Sequence, residues 1–200
     1  MAKLYFRYGT VGSAKTLNLL AVAHNYKRQG KRVVVVKPSF DTRFGREIVH
    51  SRAGLERPAD IVVEDDTRLD AAAFEGCHCV LVDEAQFLSP AVVEQLRELT
   101  RGVDIPVICY GLRTDFRSRL FAGSRRLLEL ADTVEELKTT CAFYNRKAIF
   151  NLKSLDGRPT IAGPSKQLGA EELYQPACHR HYMEKLELEI LHEERLRVEA

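Results

Sequence analysis

The sequence predicts an α/β fold with a doubly wound, mostly parallel sheet. Three apolar runs are continuous rather than alternating, at residues 32–36, 79–82 and 105–110. Continuous runs of this kind are typical of strands that are buried on both faces of a parallel sheet. Helical patterns alternate with the runs, and in folds of this order ligands bind at the carboxyl ends of the strands.

The pattern also predicts where the elements begin and end. Besides the three runs, we expect a strand at 4–8 and helices over about 15–29, 90–99 and 118–131. The stretch from Phe40 to Pro58 is polar, rich in arginine and without periodicity, which indicates a mobile loop over the ligand site expected at the strand ends. After residue 139 the character changes to short strand-like pieces around a turn-rich stretch, and the tail from Tyr182 reads as a charged helix. We therefore predict a P-loop domain at 1–138, a small domain at 139–184 and a charged helical tail at 185–200.

Composition narrows the class of protein. A chain of 200 residues with 45% hydrophobic residues can bury a substantial core, and a net charge of +2 shows no basic excess of the kind that marks nucleic-acid binders. We expect no signal peptide and no membrane-spanning run. Five cysteines in such a chain favour reduced thiols or a metal site over disulfides. These observations predict a cytoplasmic enzyme without a nucleic-acid or membrane partner.

The loop between the first strand and the first helix carries the main functional motif. Its sequence from Gly9 to Thr16 has the small residues that let backbone N–H groups form an anion nest, and the helix dipole adds positive charge. Lys15 supplies a point charge and Thr16 a hydroxyl for Mg²⁺. The P-loop pattern has glycine before the lysine, where this chain has Ala14. We expect Gly12 to supply the backbone freedom if Ala14 keeps φ negative. The alternative is a Gly/Ser turn before an ordinary helix.

The run at 79–82 ends in two carboxylates, Asp83 and Glu84, which is the form of a Walker B segment. Because consecutive side chains of a strand point to opposite faces, we expect the two acids to have different tasks. We assign Asp83 to Mg²⁺, opposite Thr16, and Glu84 to the acceptor hydroxyl. The alternative is a pair that only caps the helix beginning at Pro90.

Cysteine and histidine bracket the small C-terminal region. Cys178 and His181 have the spacing of one ligand pair of a zinc ribbon, and Cys141 begins the other pair. Tyr144 stands where the fourth ligand is expected, so either zinc binds with water or His179 completing its shell, or the lobe is metal-free. A further cluster lies at 77–79, where Cys79 belongs to the strand pattern and is expected in the core.

Several aromatic residues lie beside the predicted strand ends, where they could line a pocket for a flat base. The alternative is that most of them are core residues, which is what their spacing alone would indicate. They are Phe87, Phe116, Phe121 and Tyr174.

Taken together, these motifs resemble the type II thymidine kinases, and the resemblance covers nearly the whole chain in order. Its carriers are Gly9 to Thr16, Asp41-Thr42-Arg43-Phe44, Val82-Asp83-Glu84-Ala85-Gln86-Phe87, Tyr110 to Phe116, Glu136-Leu137-Lys138-Thr139 and Tyr174-x-x-x-Cys178-x-x-His181.

The resemblance implies a P-loop (RecA-like) domain with a small zinc-ribbon-like lasso domain, and ATP-dependent phosphorylation of thymidine at its 5′-hydroxyl. It implies that Glu84 is the general base of the reaction. It also implies that backbone groups of the lasso, at about 165–169, recognise the thymine ring. It implies that ATP and thymidine are the substrates and that the protein is a homotetramer. The cofactors that it implies are Mg²⁺ and structural Zn²⁺. It assigns ATP to Gly9, Thr10, Val11, Gly12, Ser13, Ala14, Lys15, Thr16, Asp83, Ala85 and Gln86. It assigns thymidine to Val11, Phe87, Leu112, Phe116, Phe121 and Tyr174, magnesium to Thr16 and Asp83, and zinc to Cys141, Cys178 and His181.

Two other functions fit parts of the pattern. A nucleotide-binding paralogue of the same fold with weak or no kinase activity would explain Ala14 and Tyr144. A P-loop ATPase or a transferase with another acceptor would explain the P-loop and the acids, but it would not be expected to carry the aromatic set together with the C-terminal Cys/His lobe.

Overall fold

The structure, a computed structural model, describes residues 1–165 and 173–187. The strands are β1 (Leu4–Tyr8), β2 (Val33–Pro38), β3 (Ile48–His50), β4 (Glu56–Pro58), β5 (Ile61–Val63), β6 (Cys79–Val82), β7 (Val107–Gly111), β8 (Thr133–Glu136), β9 (Phe150–Leu155), β10 (Arg158–Pro159) and β11 (Tyr174–Ala177). The helices are α1 (Lys15–Arg28), α2 (Pro90–Gly102) and α3 (Ala122–Leu130), and a further helix, α4, is described over 179–187.

A six-stranded sheet in the order β5-β2-β6-β7-β1-β8 forms the centre of the fold, and every neighbouring pair is parallel. Alternate residues of β6 enter two separate cores, Val80 and Val82 on one face and Leu81 on the other. Helix α2 packs on the first face and α1 on the second. Burial on both faces explains why these strands are uniformly apolar, and it confirms the predicted doubly wound α/β fold.

Some boundaries differ from the prediction. The stretch from Phe40 to Pro58 is not one loop, because β3 and β4 pair as an antiparallel hairpin within it. Both strands are three residues long and mix polar with apolar residues, so the sequence carried too short a pattern to reveal them. Helix α3 begins at Ala122 rather than near Ser118, which has a φ of 63° that a helix does not accommodate.

The described chain divides into two compact units. The first comprises Met1–Gly9, Ala14–Arg113 and Leu120–Leu137, and it contains the six-stranded sheet with α1, α2 and α3. The second comprises Thr10–Ser13, Thr114–Arg119 and the chain from Lys138 onwards. The domain limits read from the sequence stay a prediction.

The second unit is built on the antiparallel sheet β10-β9-β11. Two small apolar clusters lie beside this sheet. One contains Cys141, Ala148 and Cys178, and the other Leu152, Ala177 and Tyr182. The predicted lasso segment beyond Ser165 and the tail beyond residue 187 lie outside the described residues. Among the helices of the described chain, none has the length and apolar character needed to span a membrane.

Candidate active site

The P-loop contains two residues with positive φ. Gly12 has a φ of 73° and Ala14 has a φ of 58° with a ψ of 30°, which is left-handed. A negative φ at Ala14 was the condition under which Gly12 alone would supply the backbone freedom, and this condition is not met. An alanine in this conformation is strained because its Cβ approaches the following carbonyl oxygen. The backbone carbonyl of Ala14 nevertheless accepts the first bond of α1, from the N–H of Asn18 at 2.9 Å.

Thr16 and Asp83, predicted as the magnesium pair, are in contact. The Thr16 hydroxyl lies 3.2 Å from Oδ1 and 3.3 Å from Oδ2 of Asp83. Asp83 is buried, and burial together with the negative charge of Glu84 raises the pKa of its carboxyl to about 7. A buried acid of this kind is one that a bound cation would stabilise in its charged form.

Lys15 begins α1 beside these acids. The residue is half-buried. Burial lowers the pKa of Lys15 to about 8, while the charges of Glu84 and Asp83 act in the opposite direction. A cation with this environment is suited to meet further negative charge, such as a phosphate.

Glu84 is held by two partners. Its Oε1 accepts a hydrogen bond from the Arg43 guanidinium at 2.6 Å, and its Oε2 accepts one from the Gln86 amide. Its backbone is left-handed with a φ of 48°, so β6 ends at this residue and the chain turns into a short 3₁₀ segment. Arg43 and Glu84 are both mostly buried, which limits the screening of their ion pair by water.

Two further buried charges, Asp41 and Lys37, hold Arg43 in place. Its Nε donates to Oδ1 of Asp41 at 2.6 Å, and Oδ2 of Asp41 lies 3.3 Å from the Lys37 ammonium. Lys37 also donates to the backbone carbonyls of Gly45 and Ile48, at 3.1 and 2.5 Å. The sequence analysis includes Arg43 only within the motif Asp41-Thr42-Arg43-Phe44, and it missed Lys37. Its signal was a lysine at the end of an otherwise apolar strand.

Gln86 joins the end of β7 to the turn that carries Glu84. Its Oε1 accepts the N–H of Leu112 at 2.9 Å, while its amide nitrogen donates to Glu84. A Cβ at Gly111 would lie 2.6 Å from that oxygen, so the close approach needs glycine. The assignment of Gln86 to ATP stays a prediction, and in the structure its side chain contacts Glu84 and Leu112.

The predicted aromatic residues fall into both units. In the first, the Phe87 ring lies 5.0 Å from Phe40 and 5.7 Å from Phe121. In the second, Phe116 and Tyr174 have ring centroids 6.1 Å apart, and the Lys153 ammonium lies 4.7 Å from the Phe116 centroid. Phe116 and Phe121 are buried, while Phe87, Tyr174 and Leu112 are half-buried.

The Cys/His residues predicted for zinc converge in the second unit. His181 Nδ1 lies 3.2 Å from Cys178 Sγ and 3.8 Å from Cys141 Sγ, and all three donor atoms lie within 4.8 Å of one another. Two sulfurs and an imidazole nitrogen are donors that zinc prefers. Tyr144 is 55% exposed, and the His179 ring is tilted against Phe150, with the ring centroids 5.6 Å apart.

The remaining cysteines take no part in a metal group within the described chain. Cys79 is fully buried in the core, as predicted, and burial raises the pKa of its thiol to about 12. Cys77 and Cys109 are buried free thiols as well.

A hydroxyl at the start of a helix after a glycine-containing loop, in contact with an acid at the end of a parallel strand, is how P-loop proteins hold a nucleotide-bound magnesium ion. The chain thus has the features of a P-loop nucleotide-binding protein. The chain belongs to the thymidine kinase family, because the family model described as "Thymidine kinase" matches residues 2–182. This confirms the family that the motifs indicated.

Relatives agree with this assignment. The thymidine kinase of Streptococcus gordonii is 45% identical over 187 residues, which cover 91% of this chain and 96% of the relative. That of Lactiplantibacillus plantarum is 45% identical over 190 residues, with 91% and 96% covered. Among solved structures, Pif1 helicase from Candida albicans has a TM-score of 0.41 and 13% identity, over 68% of this chain and 36% of that chain, which is too distant to bear on function.

Proposed function

We propose that this chain transfers the γ-phosphoryl group of ATP to the 5′-hydroxyl of thymidine, in nucleotide salvage, with Glu84 as the base. The observation that carries the proposal is the contact between Thr16 and Asp83 beside a glutamate that Arg43 and Gln86 hold in place. Phosphoryl transfer needs positioned charge more than covalent chemistry, and these residues supply positioned charge.

Lys15 and the P-loop backbone hold the phosphates in this proposal. Burial lowers the pKa of Lys15, which disfavours its charged form in the ligand-free protein. Phosphate oxygens would favour that charged form, so nucleotide binding and the charge of Lys15 support one another.

Thr16 and Asp83 would hold Mg²⁺. A hydroxyl and a carboxylate about 3.2 Å apart are hard oxygen donors of the kind that this ion prefers. The ion, when bound, would neutralise charge on the phosphates. Asp83 must be ionised to serve, and a cation would lower its raised pKa.

Glu84 accepts the proton of the attacking hydroxyl. A carboxylate has about four acceptor positions, and Arg43 and Gln86 each donate one hydrogen bond to it, so acceptor capacity remains. The ion pair with Arg43 and the left-handed backbone fix where the carboxylate stands. Positioning of this kind compensates for the weak basicity of a carboxylate.

The finer assignments are also part of the proposal. We propose that thymidine contacts the residues that the family resemblance predicts. We also propose that the protein is a homotetramer and that it is cytoplasmic. Zinc is proposed to bind Cys141, Cys178 and His181 with water as the fourth ligand, since Tyr144 is exposed and His179 contacts Phe150. Zinc with three protein ligands keeps one position open.

The test is a panel of deoxynucleosides with Mg²⁺-ATP, scored for monophosphate product. We expect thymidine to be the preferred acceptor, and Lys15→Ala to reduce product to background. Wild-type protein that binds ATP but phosphorylates no deoxynucleoside would instead support the nucleotide-binding paralogue.

A further inference from the structure

Asn151 of strand β9 bonds to two segments that are far from it in sequence. Its Oδ1 accepts a hydrogen bond from the backbone N–H of Val11 at 2.9 Å. Its Nδ2 donates to the backbone carbonyl of Thr114 at 3.0 Å. Val11 lies within the P-loop, and Thr114 begins the segment that contains Phe116.

The side chain is built into the second unit. Asn151 is 3% exposed, and its strand pairs with β11 with Asn151 opposite Pro176. The two partners require opposite hydrogen-bonding groups, one an acceptor and the other a donor, in a fixed orientation. A carboxamide meets both requirements, whereas an aspartate lacks the donor and a leucine lacks both. A buried polar group that loses its hydrogen-bond partner also lowers the free energy of unfolding.

We propose that Asn151 is a positioning residue for nucleotide binding. It fixes the P-loop segment Thr10–Ser13 and the segment from Thr114 in the arrangement that ATP binding needs, and it acts through their backbones without touching ATP itself. The proposal rests on the proposed function only in naming ATP as the ligand.

Its physical basis is the cost of ordering a loop. Gly12 in this segment has a φ of 73°, a region of backbone space that glycine enters freely, so the segment has many conformations to lose when a phosphate is bound. A bond that holds Val11 beforehand removes part of that cost, and preorganisation of this kind appears as affinity.

Other contacts hold the neighbouring segment to the same unit. The Tyr182 hydroxyl donates to the backbone carbonyl of Phe116 at 2.5 Å, and Arg117 donates to the carbonyl of Ile161 at 2.8 Å. Loss of Asn151 therefore leaves the segment after Thr114 anchored, and we expect the larger effect at the P-loop.

The first measurement is amide hydrogen exchange in ligand-free protein, by mass spectrometry of a peptide that covers Val11. Asn151→Leu should raise exchange of that peptide about tenfold, because the N–H loses its acceptor. Leu152→Ala is the matched control, since Leu152 is buried in the adjacent cluster on the same strand. It should raise exchange across the second unit without singling out the P-loop.

The second measurement is the Kd of Mg²⁺-ATP, with the KM for ATP and kcat beside it. Asn151→Leu should raise Kd and KM about tenfold, with a smaller change in kcat, whereas Leu152→Ala should leave Kd within about twofold. If Asn151→Leu does not fold, Asn151→Asp is measured instead. It keeps the acceptor for Val11 and loses only the donor to Thr114, so exchange of the Val11 peptide and Kd should stay within about twofold of wild type, and a larger rise in both would overturn the inference.

The outcomes separate this inference from the proposed function. Wild-type protein that does not bind ATP contradicts the proposed function, while the exchange result still decides the role of Asn151 in the loop. Wild-type protein that binds ATP, with Asn151→Leu equal to it in Kd and in exchange at Val11, overturns the inference. Equal loss of affinity in Asn151→Leu and Leu152→Ala also overturns it, since the role would then be structural.

Discussion

The acids after β6 and the Cys/His group of the second unit are held in place by different means. Asp83 and Glu84 follow a strand that is buried on both faces in two large apolar cores. Cys141 and Cys178 belong to a small cluster, and the His181 ring contacts both of their sulfurs. The first site inherits its position from the sheet, whereas the second has little apolar burial to hold it and gains most from cross-links such as a metal or a buried hydrogen bond.

This contrast predicts how each region responds to change. Polar substitutions at the strand ends should alter chemistry while the fold survives. Changes at the Cys/His group should alter stability first, because there the metal ligands are part of what holds the chain together.

Glu84→Gln tests the first half of the contrast most directly. Gln keeps the size of the side chain and cannot accept a proton as a base, so we expect kcat to fall about 10²-fold or more. The lost ion pair with Arg43 should lower the melting temperature only in part, because Arg43 keeps its bond to Asp41. Steady-state rates with thymidine and differential scanning calorimetry measure the two quantities. Glu94→Gln is the control, since it makes the same change on the exposed face of α2. Near-normal turnover in Glu84→Gln would remove Glu84 from the mechanism.

Tyr144→Cys sharpens the second half. A thiolate at this position would complete a tetrahedral set with Cys141, Cys178 and His181, and metal bound only to the folded state adds to stability. We expect higher zinc retention, measured by atomic emission after dialysis, and a melting temperature raised by about 2–4 °C for each kcal/mol gained. Tyr144→Ser removes the phenol without adding a ligand and should behave like wild type. If neither the Cys variant nor the Ser variant holds zinc, the three residues are not a zinc site.

Asp83→Asn should stabilise the ligand-free protein in a pH-dependent way. Burial raises the folded pKa of Asp83 from 3.8 to about 7, so the folded state holds a proton there that the unfolded state loses, and stability falls as pH rises between these values. Asn carries no charge and avoids this loss. The variant should therefore melt higher than wild type at pH 8, by at least about 2–4 °C, and nearly the same at pH 4.

The control for this pH effect is the exposed Asp66→Asn, whose melting temperature should follow wild type at both pH values. A gain by Asp83→Asn that is equal at pH 4 and pH 8 would contradict the account. Asp83→Asn should also lose Mg²⁺-dependent phosphoryl transfer, so that the protein becomes more stable while it loses activity.

Ala14→Gly gives the smallest expected effect. Glycine removes the steric strain of the left-handed conformation but adds freedom to the unfolded chain, so we expect a net gain of up to about 1 kcal/mol in the free energy of unfolding. Urea denaturation measures it. Ala21→Gly, on the exposed face of α1, should instead lose about 1 kcal/mol from lower helix propensity. Loss of stability in Ala14→Gly would show that the backbone there is not strained.

Much of the sheet could be predicted because its signal is local. Strand β6 agrees with the predicted run at both ends, and α1 begins at Lys15 as expected, since continuous apolar runs and helical periodicity need no knowledge of distant residues. The hairpin of β3 and β4 was missed because three-residue strands with exposed charges have no such pattern.

The family and the types of residue at each site follow from the sequence by itself, because motif spacing and residue chemistry are written along the chain. What only the tertiary structure decided is which partners those residues have. That Ala14 is left-handed, that Glu84 lies against Arg43, and that Asn151 bonds to Val11 across 140 positions all depend on the folded backbone. Contacts of this kind are set by the positions of distant segments, and no local pattern encodes them.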